Sequence, residues 1–255
     1  MRRLLVGGGF FWQIALMVPA TVLITGCSRG IGLALVREMA ARGWHVLAGA
    51  RHPAAAHALQ AVAQNASPGS VDILTLDVRH DESVEAAAEA AATKVRRLDV
   101  LVNNAGVFPE NGSESLEQLP LECFEEAFSV NVVGVARVTR MFLPLLTRAA
   151  HPRVINMSSL AGSIGEKEDS RYYCYSASKA ALNMLTRAMA AELRPRGVTV
   201  VAVTPGWVKT ELGGPNAKIS AEESARSLAA TIDRVSHHDA GQFLDRDGNK
   251  AAATW

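Results

Sequence analysis

A tyrosine and a lysine stand four residues apart in Tyr175-Ser176-Ala177-Ser178-Lys179. On a helix that spacing puts a phenol and an ammonium on one face. A free phenol titrates at about 10 and is a poor acid or base at neutral pH. A neighbouring cation favours the phenolate, so Lys179 is expected to lower the pKa of Tyr175 and tune it for general acid–base work. Tyr–Lys pairs at this spacing are common on helix surfaces, and the pair gains weight from Ser158-Ser159, which follows an apolar β-branched run at residues 153–157. A hydroxyl just past the carboxyl end of a strand stands where doubly wound sheets bind ligands, and there it can polarise a carbonyl. On these grounds Ser158 and Ser159 compete for the role.

A second cluster is Thr25-Gly26-Cys27-Ser28-Arg29-Gly30-Ile31-Gly32, with an apolar run before it and a helical pattern after it. Gly26 permits a tight turn, Gly30 lets the backbone approach a pyrophosphate, and Gly32 lets helix and strand pack closely. A helix N-terminus opening here offers unpaired N–H groups and a positive dipole end to phosphates. Ser28, Arg29 and Ile31 lie in the same turn and join the three glycines as candidate contacts. Glycine trios are frequent, but strand before and helix after is the context a dinucleotide fingerprint requires.

Charge then bears on which dinucleotide. Enzymes that take NAD place an acid at the end of the second strand, to bond the ribose 2′-hydroxyl. That position reads Ala48-Gly49-Ala50-Arg51. Arg51 and Arg29 are expected to converge on a 2′-phosphate, which favours NADPH. Asp77, followed by Val78 at the expected end of the third strand, suits an adenine amino group or the cap of the next helix.

These groups need a scaffold. From Thr21 on, short apolar runs alternate with Ala-rich segments of helical period. The runs are residues 21–25, 45–50, 71–78, 100–103, 153–157, 198–203 and a weaker 242–244. Helices are expected to begin near Ile31, Pro53, Asp81, Leu119, Tyr175 and Ala221. Strands that are apolar without alternation mark a parallel sheet buried on both faces. The expectation is therefore an α/β protein with a doubly wound, Rossmann, parallel seven-stranded sheet and helices on both faces, forming one domain over residues 21–255.

Taken in order, the motifs resemble the short-chain dehydrogenase/reductases from about Thr21 to the C-terminus. They are Thr25-Gly26-x-x-x-Gly30-x-Gly32, Asn103-Asn104-Ala105-Gly106, Asn131, Asn156-Met157-Ser158-Ser159, Tyr175-x-x-x-Lys179 and Pro205-Gly206. The resemblance implies that Tyr175 donates a proton to a carbonyl oxygen and that Lys179 lowers its pKa and bonds the nicotinamide ribose. It implies that Ser159, the second serine of its motif, holds the substrate oxygen and that Asn131 holds a water in the proton relay. Asn104, Ala105 and Gly106 would lie against the adenosine side of the cofactor. Pro205 and Gly206, with the stretch through Val208 and Thr210, would cover the nicotinamide. A basic residue just before the second glycine, here Arg29, goes with NADPH in this family.

A nearer likeness is to sniffer-like and C-factor-like carbonyl reductases, through residues 156–164, 205–210 and 241–248 and the terminal Trp255. The polar insert Glu166-Lys167-Glu168-Asp169 resembles that subgroup. The implied activity is NADPH-dependent reduction of a small carbonyl compound. The rival readings are a non-catalytic NADP-binding regulator and physiological oxidation of an alcohol. Residues 116–146 and 175–193 offer helix faces for a homodimer, as in many relatives.

The chain has 255 residues, 49% hydrophobic and 20% charged, which are ordinary globular values. A net charge of +1 gives no reason to expect nucleic acid or an anionic membrane as partner. Cys27, Cys123 and Cys174 are few, odd in number and scattered, which argues for a reducing, cytoplasmic setting. No Cys or His spacing suits a metal. Residues 1–20 begin with Arg2 and Arg3 and run apolar to Met17, a layout like a weak secretory signal but without a convincing cleavage site. They are read as an extension of uncertain order before the domain, with a targeting role as the minor alternative.

Overall fold

The apolar runs alternate after all, between two cores. In β1 (Thr21–Ile24), Val22 and Ile24 join one cluster and Leu23 joins the other. In β2 (His45–Ala50), Val46 and Ala48 pack with the first cluster and Leu47 with the second. The same division recurs in β4 (Val100–Asn103), β5 (Arg153–Met157) and β6 (Thr199–Val203). A strand covered on both faces turns apolar side chains to both, so its sequence reads as a nearly unbroken apolar run.

A computed structural model describes residues 19–110, 112, 115–168 and 171–251. The strands form one parallel seven-stranded sheet in the order β3-β2-β1-β4-β5-β6-β7, with β3 at Ser70–Thr75 and β7 at Phe243–Leu244. On one face lie α1 (Gly30–Ala41), α2 (His57–Asn65) and α7 (Ala221–Arg234), whose Leu35, Met39, Leu59, Leu228 and Ile232 fill the first core. On the other lie α3 (Asp81–Lys94), α5 (Gly134–Leu146) and α6 (Tyr173–Leu193), which contribute Val84, Phe142, Leu146 and Leu193 to the second. Each such side chain, removed from water, contributes roughly 1.5–3 kcal/mol. The strand order reverses between β1 and β4, so the crevice of the sheet opens at their carboxyl ends.

Between the two cores runs a polar tie. Asn103 at the end of β4 donates to the Asn156 Oδ1 of β5 at 2.9 Å and to Thr139 Oγ1 of α5 at 3.1 Å. Asn156 in turn donates to Thr186 Oγ1 of α6 at 2.9 Å. All four residues are buried, and the bonds fix α5 and α6 against the strand ends that carry the site.

Several boundaries differ from expectation. The third strand stops at Thr75 and not at 78. The Leu76 amide still bonds the Ala50 carbonyl, but at Asp77 the chain turns, its amide donating to Ser83 Oγ and its carboxylate accepting from the Arg79 amide. Asp77 thus does not cap α3, whose N-terminus has no side-chain cap and carries Asp81 and Glu82 in its first turn. Pro53–Ala55 forms a single 3-10 turn, with α2 starting only at His57. The helix expected near Leu119 is α4, Glu122–Phe128, joined to α5 by a π-helical turn, Ser129–Val133, that holds Asn131. Among the described residues this run, Glu122–Leu146, is the one helix long and apolar enough to cross a bilayer, and half of its apolar window is buried in the fold. The readings made for residues 1–18, Asp169 and Trp255 lie outside the described residues.

Candidate active site

The turn after β1 is shaped by missing side chains. Gly26 has φ +71, and a Cβ there would meet Ala105 Cα at 2.9 Å. A Cβ on Gly32 would lie 2.3 Å from the Gly26 carbonyl oxygen and 2.6 Å from Asn104 Nδ2. Only glycine lets α1 start this close to the strand. Gly30, at φ +59, faces the Thr210 methyl, which a Cβ would meet at 3.3 Å, so the stretch after β6 lies over the turn. The N-terminus of α1 has no side-chain cap and no acid in its first turn, whereas α7 is capped by Ser220 and carries Glu222 and Glu223. Its N–H groups are suited to an anion, so the donor set fits a dinucleotide phosphate.

Thr25 ties this turn to β4. Its hydroxyl accepts from the amides of Asn104 (3.0 Å) and Ala105 (2.9 Å), and Asn104 Nδ2 returns a bond to the Thr25 carbonyl at 2.8 Å. Asn104, Ala105 and Gly106 are thereby brought beside Gly26. Arg51 is exposed at the end of β2. Arg29, on the turn itself, pairs through Nε with Glu211 Oε2 at 2.8 Å, both side chains well exposed. Asp77 is held in a two-point pair by Arg79, with Arg79 Nη2 at 2.6 Å, which pulls its carboxyl down to about 2. Val78 is buried against Gly134, and its carbonyl accepts from Arg137 Nη1 at 2.6 Å. Val208 is buried and bridged to Ile219, while Pro205 and Gly206 open the loop above it.

At the crevice, α6 brings Tyr175 and Lys179 together. The Lys179 ammonium lies 5.5 Å from the centre of the Tyr175 ring and donates to the Met157 carbonyl at 2.8 Å. Ser159 lies close enough to the Tyr175 phenol to draw its pKa down, and its Oγ accepts from the Ala161 amide at 3.1 Å. Ser158 is occupied elsewhere, donating to Asn183 Oδ1 at 2.6 Å in a buried pair, so of the two serines it is Ser159 that meets the phenol.

The phenol's pKa lies on the opposite side of its ordinary value from the one expected. Burial holds Tyr175 above its ordinary value, and the bond from Ser159 pulls it part of the way back. Lys179 makes no comparable contribution, because burial pushes it down as well, to about 8, and its bond goes to a carbonyl.

Asn131 is held by three bonds: Nδ2 donates to the Val107 carbonyl and to Ser178 Oγ, both at 3.0 Å, and Oδ1 accepts from the Val107 amide at 2.9 Å. It therefore pins the segment after Gly106 to α6. A Cβ on Gly106 would come within 3.4 Å of Asn131 Oδ1 and 3.8 Å of Lys179 Nζ, so these three residues converge.

Sequence reasoning missed Thr25, Arg79, Phe108, Glu110 and Asn183. Thr25 opens the quoted Gly motif and had a local signal. Phe108, which packs edge-on to Tyr175 at 5.1 Å, and Glu110, whose carboxylate accepts from the amides of Cys174 and Tyr175, act across more than sixty residues and had none.

With that geometry in hand, comparison with known proteins is informative. A family model described as short chain dehydrogenase matches residues 20–220. The C-signal of Myxococcus xanthus is 39% identical over 154 residues, 60% of this chain and 91% of that protein. Among solved structures, the carbonyl reductase Sniffer of D. melanogaster is 31% identical with a TM-score of 0.85, covering 93% of this chain and 100% of its own. An NADPH-bound carbonyl reductase from chicken fatty liver is 32% identical with a TM-score of 0.84, covering 92% and 100%.

Proposed function

This chain belongs to the short-chain dehydrogenases, a family of oxidoreductases, and we propose that it uses NADPH to reduce a small carbonyl compound. The observation that carries the reading is the buried Lys179 ammonium 5.5 Å from the centre of the Tyr175 ring, with Ser159 beside that phenol, at the strand ends next to an anion-ready turn. NADPH would supply the hydride. As hydride arrives, negative charge grows on the carbonyl oxygen. Ser159 and Tyr175 present two hydroxyls to that oxygen, and Tyr175 completes the step by giving up its proton. Lys179 keeps a positive charge beside the phenolate that results. The same groups run the reaction in reverse, and cells that keep NADPH reduced set the direction.

Support for NADPH comes from Arg51 and Arg29 near the turn, from the missing acid at the end of β2 and from the NADPH carried by the chicken enzyme. Arg29 would share itself between Glu211 and the phosphate. Arg51→Asp should move the ratio of NADPH to NADH affinity towards NADH, and an unmoved ratio removes Arg51 from the site. A homodimer through α4, α5 and α6 is supported by Met184, exposed on α6, and Val133, exposed on the π-helical turn that joins α4 to α5.

The test of function is Tyr175→Phe assayed on quinones, diketones and aldehydes. Turnover should fall by about 10²–10⁴ with NADPH affinity nearly intact. A non-catalytic regulator would instead bind NADPH and turn over nothing in the wild-type form.

A further inference from the structure

The helix that carries Tyr175 begins without help from its own sequence. Its N-cap is Tyr172, at φ 62 the one non-glycine residue with positive φ among those described, and Tyr172 makes no side-chain cap bond. Orphan N–H groups at a buried helix start need acceptors. They find one in Glu110, a side chain only 3% exposed, reaching over from the loop after β4. Its Oε2 accepts from the Cys174 amide at 3.0 Å and its Oε1 from the amide of Tyr175 itself at 2.7 Å.

The rest of that loop fits the same helix start. Phe108 stacks edge-on against both Tyr172 (5.2 Å) and Tyr175 (5.1 Å). Val107 is held at both its amide and its carbonyl by Asn131. The Pro109 carbonyl accepts from the Cys123 thiol of α4. Gly112, at φ +80, lies so close under the Tyr172 ring that a Cβ would come within 2.3 Å of it.

We propose that Glu110 is a positioning residue for the reaction, acting through the backbone amides of Cys174 and Tyr175 to set where the phenol stands relative to Ser159. Two charge-assisted bonds from one rigid, buried carboxylate fix both the start and the rotation of the first turn of α6, and Tyr175 lies in that turn. Misplacing a reacting group by about 1 Å can lose about 100-fold in rate. Glu110 touches neither substrate nor cofactor in this account, so its effect belongs in kcat and not in NADPH binding. The inference rests on the catalytic reading of Tyr175 given above.

The experiment compares wild type, Glu110→Gln, Gly112→Ala and Tyr175→Phe. For each it measures kcat and KM on a diketone, the Kd for NADPH and the melting temperature. Glu110→Gln keeps one acceptor and turns an amide group towards a backbone N–H. The expected result is a folded protein with NADPH Kd within about twofold of wild type and kcat down between about 10- and 100-fold. Gly112→Ala, which displaces Tyr172 without touching the carboxylate, should lower kcat in the same selective way. A Glu110→Gln protein with wild-type kcat overturns the proposal. So does one that fails to fold, or that loses NADPH binding in step with kcat, because Glu110 is then a structural residue. If Tyr175→Phe turns over normally, the catalytic reading itself falls. If Tyr175→Phe is inactive and Glu110→Gln is not, only the positioning role falls.

Discussion

The nucleotide turn and the start of α6 meet at the same crevice but are built by opposite means. The turn is defined by absence: Gly26, Gly30 and Gly32 leave the space where a Cβ would strike Ala105, Thr210 or the Gly26 carbonyl. The start of α6 is defined by presence: Glu110 reaches it from elsewhere and accepts from its first amides, Phe108 packs against Tyr175, and Asn131 bonds Ser178 one turn on. The first device is local and rigid, and a few adjacent residues specify it. The second spans β4, the π-helical turn and α6, so it couples the orientation of Tyr175 to contacts far off in sequence. Binding and chemistry in this molecule should therefore be separable by mutation.

The sharpest separation lies between neighbouring serines. Ser159 lies beside the Tyr175 phenol at the crevice, while Ser158 bonds Asn183 inside the fold. Ser159→Ala should lower kcat by about 10²–10³, the range for removing one donor to a developing oxyanion, with a modest drop in melting temperature from the lost bond to the Ala161 amide. Ser158→Ala should do the reverse, costing about 1–3 kcal/mol for the buried Asn183 partner left unsatisfied and sparing kcat. Steady-state kinetics beside thermal unfolding distinguishes them, and equal losses in kcat would merge the two roles.

The contrast also explains what the sequence made legible. The seven strands, their parallel order and the two faces of helices follow from unbroken apolar runs separated by helical periods, and those runs are local. The glycine turn was legible because a missing side chain is visible in sequence. The Tyr175–Lys179 pair was legible because four residues make one helical turn. Glu110 was not, because a glutamate in a polar loop gives no hint that it will be 3% exposed and bonded 65 residues away. The direction of the Tyr175 shift was misread for a related reason. Spacing places a cation beside the phenol, but only the packed fold reveals that burial acts on both groups and outweighs their attraction. Arg29 was read by charge alone, and its pairing with Glu211 required the path of the loop after β6.

On the nucleotide side, Gly32→Ala tests rigidity. The added methyl meets the Gly26 carbonyl and Asn104 Nδ2, the second of which is tied to the Thr25 carbonyl at 2.8 Å. Overpacking of this kind costs about 1–3 kcal/mol. The strain falls on the turn that would hold the pyrophosphate, so NADPH affinity should drop while kcat at saturating NADPH is largely kept. Fluorescence titration of NADPH and kinetics at saturation check the two halves. A variant that binds NADPH normally but has lost kcat would mean that the turn and α6 do not act separately.

The smallest effect is a pH limb that only the α6 side should show. Lys179 is pushed down to about 8 by burial, and Tyr175 is pushed above its ordinary value by the same cause. The shifts have opposite sign in pH. The Lys179 charge is present below about pH 8 and lost as pH rises through that value, whereas Tyr175 remains protonated well beyond it. A fall in kcat/KM for reduction that sets in near pH 8, approaching about tenfold per unit, therefore reports the ammonium and not the proton donor. Lys179→Met should be slower at every pH and flat through that window, while Gly32→Ala should retain the limb at its wild-type position. If the limb survives in Lys179→Met, another group titrates there, and the charge beside Tyr175 is not what sustains the rate.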